Sequence, residues 1–223
     1  MAKLHLPYVT LLAVDCVDPD LAQKALLYSL RNIDFADVIL LSDKPPKQLH
    51  LSVRYGATRR MTLDGYNRFM LRDLHAYVNT PHVLTVQSDG FVLDAQKWQD
   101  EFMAYDYIGA PWPKASWNHG QFVGNSGFCL RSKRLLEATS RIPEEVLDAH
   151  ARVWHHAVDD IFTCVDARSY LPSMQFAPPE LAWEFSQEQP MRLGFDLSKS
   201  FGFHGMMTEE TKSLSTMLQY YYH

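Results

Sequence analysis

Apolar positions along the chain come in short unbroken runs and in four-residue repeats, and the two alternate. Residues 8–14 form a nearly continuous apolar run closed by Asp15. A run without polar alternation predicts a strand buried on both faces, as in a parallel sheet. Asp18-Pro19 then supply a helix cap and a proline suited to a first turn. Ala22, Leu26, Leu30 and Ile33 follow at helical spacing. Residues 38–41 are a second buried run, ending at Ser42-Asp43 and a Pro45-Pro46 turn, and residues 49–55 read as a third strand. Strand, helix and strand joined by short connections predict an α/β fold.

The repeat Tyr66, Met70, Leu74, Val78 predicts a helix over 63–78, closed by Thr80-Pro81. Residues 82–86 read as a strand that runs directly into Gln87-Ser88-Asp89-Gly90. A helix over 95–103 and a strand over 107–109 come next. Residues 110–127 are rich in Pro, Trp, Gly and Asn and read as one long loop, a length that inside a compact fold is commonly functional. A strand over 128–130 and helices over 132–139 and 144–165 complete the pattern. The last helix is broken near His155, and its apolar face is Val158, Ile161, Phe162 and Val165. No repeat or linker interrupts the chain. One domain is expected, with a nucleotide-binding half over 1–110 and an acceptor and catalytic half over 111–223.

Composition narrows the function classes. The 223 residues are 47% hydrophobic and 21% charged, as in ordinary globular enzymes. The formal net charge is −5 and no basic run stands out, which argues against nucleic acid as a partner. An anionic ligand must then be met locally, by a metal ion, helix N-termini or a few placed cations. Cys16, Cys129 and Cys164 are scattered and odd in number, which argues against a disulfide framework and fits a reducing cytoplasm. Residues 1–7 lack the apolar stretch of a signal peptide, and no run reaches transmembrane length. A cytoplasmic protein with at most peripheral contact at the inner membrane is expected.

Ligands of open α/β sheets bind beyond the carboxyl ends of the strands. Asp15, Asp43 and Asp89 all fall at such ends. Each alone reads equally well as a solvated turn residue; three at one edge point to a polar ligand, with Asp15 and Asp43 placed for a base or ribose. Gly90 after Asp89 permits close approach to the backbone. Arg68 suits a diphosphate because its fork matches phosphate oxygens, or else it lies on a solvated helix face. Trp112 and Trp117 are candidates to stack on a sugar, or simply pack.

Four segments in order, Tyr66-Asn67-Arg68-Phe69-Met70, Gln87-Ser88-Asp89-Gly90-Phe91, 105–112 and Val123-Gly124-Asn125-Ser126-Gly127-Phe128-Cys129-Leu130-Arg131-Ser132, resemble a bacterial family of unknown function that looks like glycosyltransferases of the GT-A fold. The resemblance covers roughly 8–205. It implies a Rossmann-like, mixed but mainly parallel sheet flanked by helices. It also implies a hexosyltransferase acting from a nucleotide sugar, a UDP-sugar first, on a glycan hydroxyl in bacterial surface polysaccharide synthesis, the acceptor being lipid-linked. In this pattern Gln87-Ser88-Asp89 is a degenerate Asp-X-Asp, with Gln87 in the first acidic place. Asp89 then takes the position that holds Mn²⁺ or Mg²⁺ on the diphosphate, and His204 the C-terminal metal position. Val158-Asp159-Asp160 resembles an X-Glu-Asp motif, which makes Asp160, and after it Asp159, the catalytic acids. Gly124, Asn125, Gly127, Trp112 and Glu188 fall on the acceptor side.

Two other readings stand beside it. His155 and His156 precede Asp159 and Asp160 by four residues, and on one continuous helix such pairs can bind metal. That cluster predicts a metal-dependent hydrolase. A non-catalytic nucleotide-sugar binding module is the second, with Gln87 marking a lost metal site.

Overall fold

The computed structural model describes residues 3–191 and 193–221. Its frame is a six-stranded sheet in the order β3-β2-β1-β4-β6-β5. β1 (Leu4–Val14) is central, paired in parallel with β2 (Ile33–Ser42) on one side and with β4 (His82–Thr85) on the other. That position explains the nearly continuous apolar run from Val9 to Val14: neighbours on both edges and cover on both faces leave no room for solvated side chains, and even Thr10 is buried. Successive residues of β1 feed opposite sides. Leu11 and Ala13 join the larger core, while Leu12 and Val14 join a second one with Phe69, Met70 and Val83. Pro7 lies where the β1–β2 register shifts, between Leu6 and Thr10, a place where a missing N–H is tolerated.

α1 (Pro19–Ser29) starts as its residues dictate, with Asp18 accepting from the Leu21 N–H and Pro19 in the first turn. Ile33 belongs to β2, not to this helix. It pairs with Leu4, because the helix ends at Ser29 and a β-branched residue enters the sheet instead. The third strand, β3 (Arg54–Ala57), begins later than the 49–55 run suggests. Leu49 and Leu51 are exposed and belong to the turn before it. α2 (Leu63–Arg72), capped by Thr62, covers the second core, and a 3₁₀ turn at Leu74–Tyr77 carries its apolar face on to Val78. Residues 95–103 form two 3₁₀ turns, Ala95–Lys97 and Asp100–Ala104, rather than a helix. What Trp98 and Phe102 supply is an edge-to-face aromatic cluster with Phe201 and Phe185.

After β4 the chain direction in the sheet reverses. β6 (Cys129–Ser132) runs antiparallel to β4, and β5 (Tyr107–Ile108) antiparallel to β6. α3 (Lys133–Ser140) follows, capped by the Ser132 hydroxyl. α4 (Glu144–Trp154) ends where His155 takes a left-handed φ of 66°. α5 (Asp159–Ile161) is a separate short turn running into a π-helical turn, Phe162–Asp166. α6 (Pro179–Phe185), the paired strands β7 (Ser186–Gln187) and β8 (Gly202–Phe203), and α7 (Glu209–Gln219) complete the order. The cysteines are free and buried. Among the described residues no helix is long and apolar enough to cross a membrane.

Candidate functional site

The parallel strands deliver their carboxyl ends to one edge, and a cavity of about 300 Å³ opens there. It is lined by Asp15 and Cys16 beyond β1, by Thr62 and Tyr66 of the α2 start, and by Gln87, Ser88 and Asp89 beyond β4. Asp15 is held as an Asx turn, its Oδ1 accepting from the N–H groups of Val17 at 2.6 Å and Asp18 at 2.9 Å. Asp43 stands at the end of β2 but off the cavity lining, 3.7 Å from Arg60.

Gln87-Ser88-Asp89-Gly90 is a closed turn. Gln87 and Gly90 exchange backbone hydrogen bonds at 2.8 and 3.1 Å, and the Asp89 carbonyl accepts from the Gly205 N–H at 2.7 Å. The last contact ties the turn to the segment after β8, and so brings His204 over it. The Gln87 side chain bridges two elements. Its Nε2 donates to the Tyr66 hydroxyl at 2.9 Å, and its Oε1 stands 3.4 Å from His204 Nε2.

His204 is the hub of the site. Nε2 lies 3.8 Å from Asp89 Oδ1, and Nδ1 lies 3.4 Å from Glu188 Oε1. The second contact is too poorly aligned to be a hydrogen bond, so Nδ1 is buried without a hydrogen-bond partner. The ring fits only because Gly127 lacks a side chain: a Cβ there would sit 1.8 Å from Nε2. Burial works against charge on His204, but Glu188, Asp89 and Asp160 outweigh it and raise its pKa above the ordinary histidine value.

Asp159 and Asp160 have different surroundings. Asp159 is 1% exposed and its Oδ2 takes Arg131 Nη2 at 2.5 Å. Arg131 is itself buried and also donates from Nε to Cys129 Sγ at 3.1 Å. A charge sealed in this way has no access to a substrate, so Asp159 is a buried ion-pair partner and not a catalytic acid. Asp160 is half-buried and, among the described residues, accepts only the Ile161 N–H, at 2.8 Å. Burial, then the negative charge of Asp159, pushes its pKa up to about 6. The Glu188 charge adds to this rise, while Asp160 in turn favours the charged form of His204; the three groups share one electrostatic neighbourhood.

Other expected site residues are placed elsewhere. Arg68 is taken up by three carboxylates, Asp64 at 2.9 Å, Asp148 at 2.8 Å and Glu144, so the fork expected to meet a diphosphate ties α2 to α4 instead. Trp112 is 7% exposed, edge-on to Trp117 at 5.0 Å and pressed against Gly124, where a Cβ would sit 1.9 Å from the ring. Its face is packing, not an open platform. Asn125 is a turn residue with φ 66°, its Oδ1 accepting from the Gly127 N–H at 3.2 Å. Residues 110–127 fold back on themselves, with Trp112 N–H donating to the Phe122 carbonyl at 2.7 Å. The His155, His156, Asp159, Asp160 cluster does not form. α4 ends before His155, which breaks the spacing that would have stacked the pairs, and Asp159 faces Arg131. Among the described residues no group of three or more His, Cys, Asp or Glu side chains is gathered to hold a metal.

Asn67, Asp64 and His150 are residues to which the sequence alone assigns no role. All three accept backbone N–H groups of residues 157–159, and the only trace of this is a polar stripe on α2 and a histidine inside an apolar helix face.

A family model described as a protein of unknown function (DUF5672) matches residues 53–204. That span runs from β3 to His204 and includes the whole site beyond β1. Among solved structures, the galactosyltransferase LgtC, solved in complex with donor and acceptor sugar analogs, is similar with a TM-score of 0.56 at 12% identity. The alignment covers 93% of this chain and 95% of that one. The glycosyltransferase GlyE of Streptococcus pneumoniae is similar with a TM-score of 0.52 at 10% identity, over 99% of this chain and 63% of that one. Identities this low establish a shared GT-A fold and nothing finer. No curated protein matches at the sequence level.

Proposed function

We propose that this chain, which belongs to the family of proteins of unknown function DUF5672, transfers a hexose from a nucleoside diphosphate sugar to a glycan hydroxyl. The observation that carries the reading is the convergence of Glu188 and His204 on Gln87 and Asp89, which line the cavity at the strand ends of a GT-A fold, with the Asp160 charge acting on the same His204. In open α/β sheets this edge is where ligands bind. The first part of the chain, through Asp15, Tyr66 and Asp89, forms the donor side. The later part, through Glu188 and the loop that carries Gly124, Asn125 and Gly127, forms the acceptor side.

A divalent ion fits the donor set in part. Oxygens and nitrogens bound to one Mg²⁺ or Mn²⁺ at adjacent positions lie about 3 Å apart. Asp89 Oδ1 and His204 Nε2 at 3.8 Å, with Gln87 Oε1 3.4 Å from the same nitrogen, need only small side-chain shifts to meet that. Asp89 and His204 would hold the ion, which when bound neutralises the diphosphate leaving group. With Gln87 neutral and only one carboxylate in the set, the protein alone would bind the ion weakly, and a bound nucleoside diphosphate would strengthen it.

The chain's own chemistry centres on Asp160. Its carboxylate takes the proton of the acceptor hydroxyl as the oxygen bonds to the anomeric carbon. The bond from that carbon to the diphosphate breaks, and the nucleoside diphosphate leaves with the electron pair. A pKa near 6 suits a base working near neutrality. A UDP-sugar is the donor proposed, with an acceptor of the surface-polysaccharide class, lipid-linked and reached by peripheral contact at the inner membrane. The test is transfer itself: purified protein with UDP-hexoses, Mn²⁺ and lipid-linked glycan acceptors should release UDP and lengthen the glycan. UDP release without a lengthened glycan would make the protein a hydrolase.

A further inference from the structure

Three consecutive backbone amides lead into Asp160, and side chains from outside the segment take all three. The Ala157 N–H donates to Asp64 Oδ1 at 2.7 Å, the Val158 N–H to His150 Nε2 at 3.1 Å, and the Asp159 N–H to Asn67 Oδ1 at 3.2 Å. Amides at the entry to a helical turn have no partners of their own, and a turn as short as α5 cannot fix its direction by itself. The direction is therefore set from α2 and α4.

Each acceptor is itself locked. Asp64 Oδ2 receives Arg68 Nε at 2.9 Å, and Arg68 is held in turn by Glu144 and Asp148. Asn67 Nδ2 donates to the Leu63 carbonyl at 2.9 Å, which leaves Oδ1 as the acceptor. A backbone N–H can only donate, so His150 Nε2 carries no proton and Nδ1 does. That proton faces Asp166 Oδ2 at 2.6 Å, an oxygen also reached by Trp154 Nε1 at 3.3 Å. The Asp159 side chain is tied down by Arg131. Against all this, the Asp160 carboxylate accepts one N–H among the described residues, from Ile161. The backbone beneath Asp160 is clamped and its reactive group is left free.

We propose that Asp64, Asn67 and His150 are positioning residues, which clamp residues 157–159 so that the Asp160 carboxylate meets the acceptor hydroxyl. The assignment rests on Asp160 being the base of the proposed reaction. None of the three is itself a residue of the cavity lining, so their removal acts on the chemical step and not on donor binding.

The experiment is steady-state kinetics with UDP-hexose on substituted full-length protein. Displacing a catalytic group by about 1 Å costs on the order of 10²-fold, so Asp64→Ala and His150→Ala should lower kcat by roughly 10- to 100-fold. KM for the UDP-sugar should stay within about twofold, since only the chemical step is touched. Asp64→Asn and His150→Gln keep an acceptor for the amide and should recover most of the loss. Asn67→Ala serves where an alanine at 64 or 150 does not fold, and melting curves establish that each variant is folded at the assay temperature. Folded alanine variants with wild-type kcat would overturn the assignment alone. So would Asp64→Asn as slow as Asp64→Ala, because the charge toward Arg68 and not the amide bond would then matter. Wild-type protein that transfers no sugar overturns the proposed function, and this assignment with it.

Discussion

The turn at Gln87–Gly90 with His204 and the turn at Ala157–Ile161 lie in one electrostatic neighbourhood and are built on opposite terms. In the first, His204 meets Gln87, Asp89 and Glu188 at 3.4 to 3.8 Å, the contact with Gln87 a long hydrogen bond, and its Nδ1 is buried with none. In the second, every backbone amide from Ala157 to Asp159 is taken at 2.7 to 3.2 Å and Asp159 is sealed into an ion pair. Buried polar groups left unpaired are costly, so a native protein keeps them where something else completes them. Groups that are fully paired hold shape. The first region has the character of a ligand site, and the second of a mount for the one free acid it carries.

The contrast breaks most sharply at Asp160. Asp160→Asn should cut kcat by about 10²- to 10⁴-fold, the range for losing a general base. It should leave UDP binding unchanged and raise Tm at pH 8, because a buried charge that the fold disfavours is removed. Turnover that survives in Asp160→Asn would take the base assignment away. In the mount, Arg131→Met strands Asp159 as an uncompensated buried charge and should cost about 3–5 kcal/mol in denaturant unfolding. Replacing both partners, Arg131→Met with Asp159→Leu, should recover much of that loss. A single variant as stable as wild type would show that the pair holds nothing.

A smaller effect is expected on the ligand side. Gly127→Ala forces a Cβ to within 1.8 Å of His204 and should cost about 1–3 kcal/mol of stability as the ring or the loop shifts. Its sharper signature is a weaker Mn²⁺-dependent component of UDP binding, readable by titration with and without the metal. Equal loss in both conditions would separate His204 from the metal.

The mildest perturbation is pH. A base must be deprotonated to act, so kcat/KM should fall tenfold per unit below an apparent pKa of about 6 and be flat above it. Acid stability is controlled elsewhere. At Asp106 burial alone would raise the pKa, but Arg134, Ser132 and the Gln175 N–H outweigh it and hold the carboxyl below its usual range. A depressed folded value means that this stabilisation is present above about pH 4 and is lost as pH falls further. Asp106→Asn should therefore flatten the acid side of the stability curve without moving the activity profile.

The legible parts of the fold are those where burial and sequence say the same thing. β1, β2 and β4 are enclosed on both faces, so their apolar runs are long and their ends, at Asp15, Asp43 and just before Gln87, are sharp. The third strand starts later than its apolar run because Leu49 and Leu51 are apolar yet exposed, and 95–103 reads as a helix because aromatic packing at Trp98 and Phe102 mimics helical spacing. At the site, Asp89, Glu188 and His204 stand out by residue type and by resemblance to a known pattern. Arg68 and Trp112 carry types that suit phosphate and sugar, and tertiary contacts with Glu144, Asp148 and Gly124 decide otherwise. The roles of Asn67 and Asp64 are illegible for a different reason. They act on amides 92 and 93 residues away, and an amide acceptor leaves no mark on the sequence of its donor.

One measurement bears on the ligand-site reading most directly: calorimetric titration of UDP into wild type and Asp89→Asn, each with and without Mn²⁺. Wild type should bind UDP saturably and at least tenfold more tightly with the metal, and Asp89→Asn should lose that metal-dependent gain while staying folded. Wild-type protein that binds no nucleoside diphosphate in either condition would contradict the account.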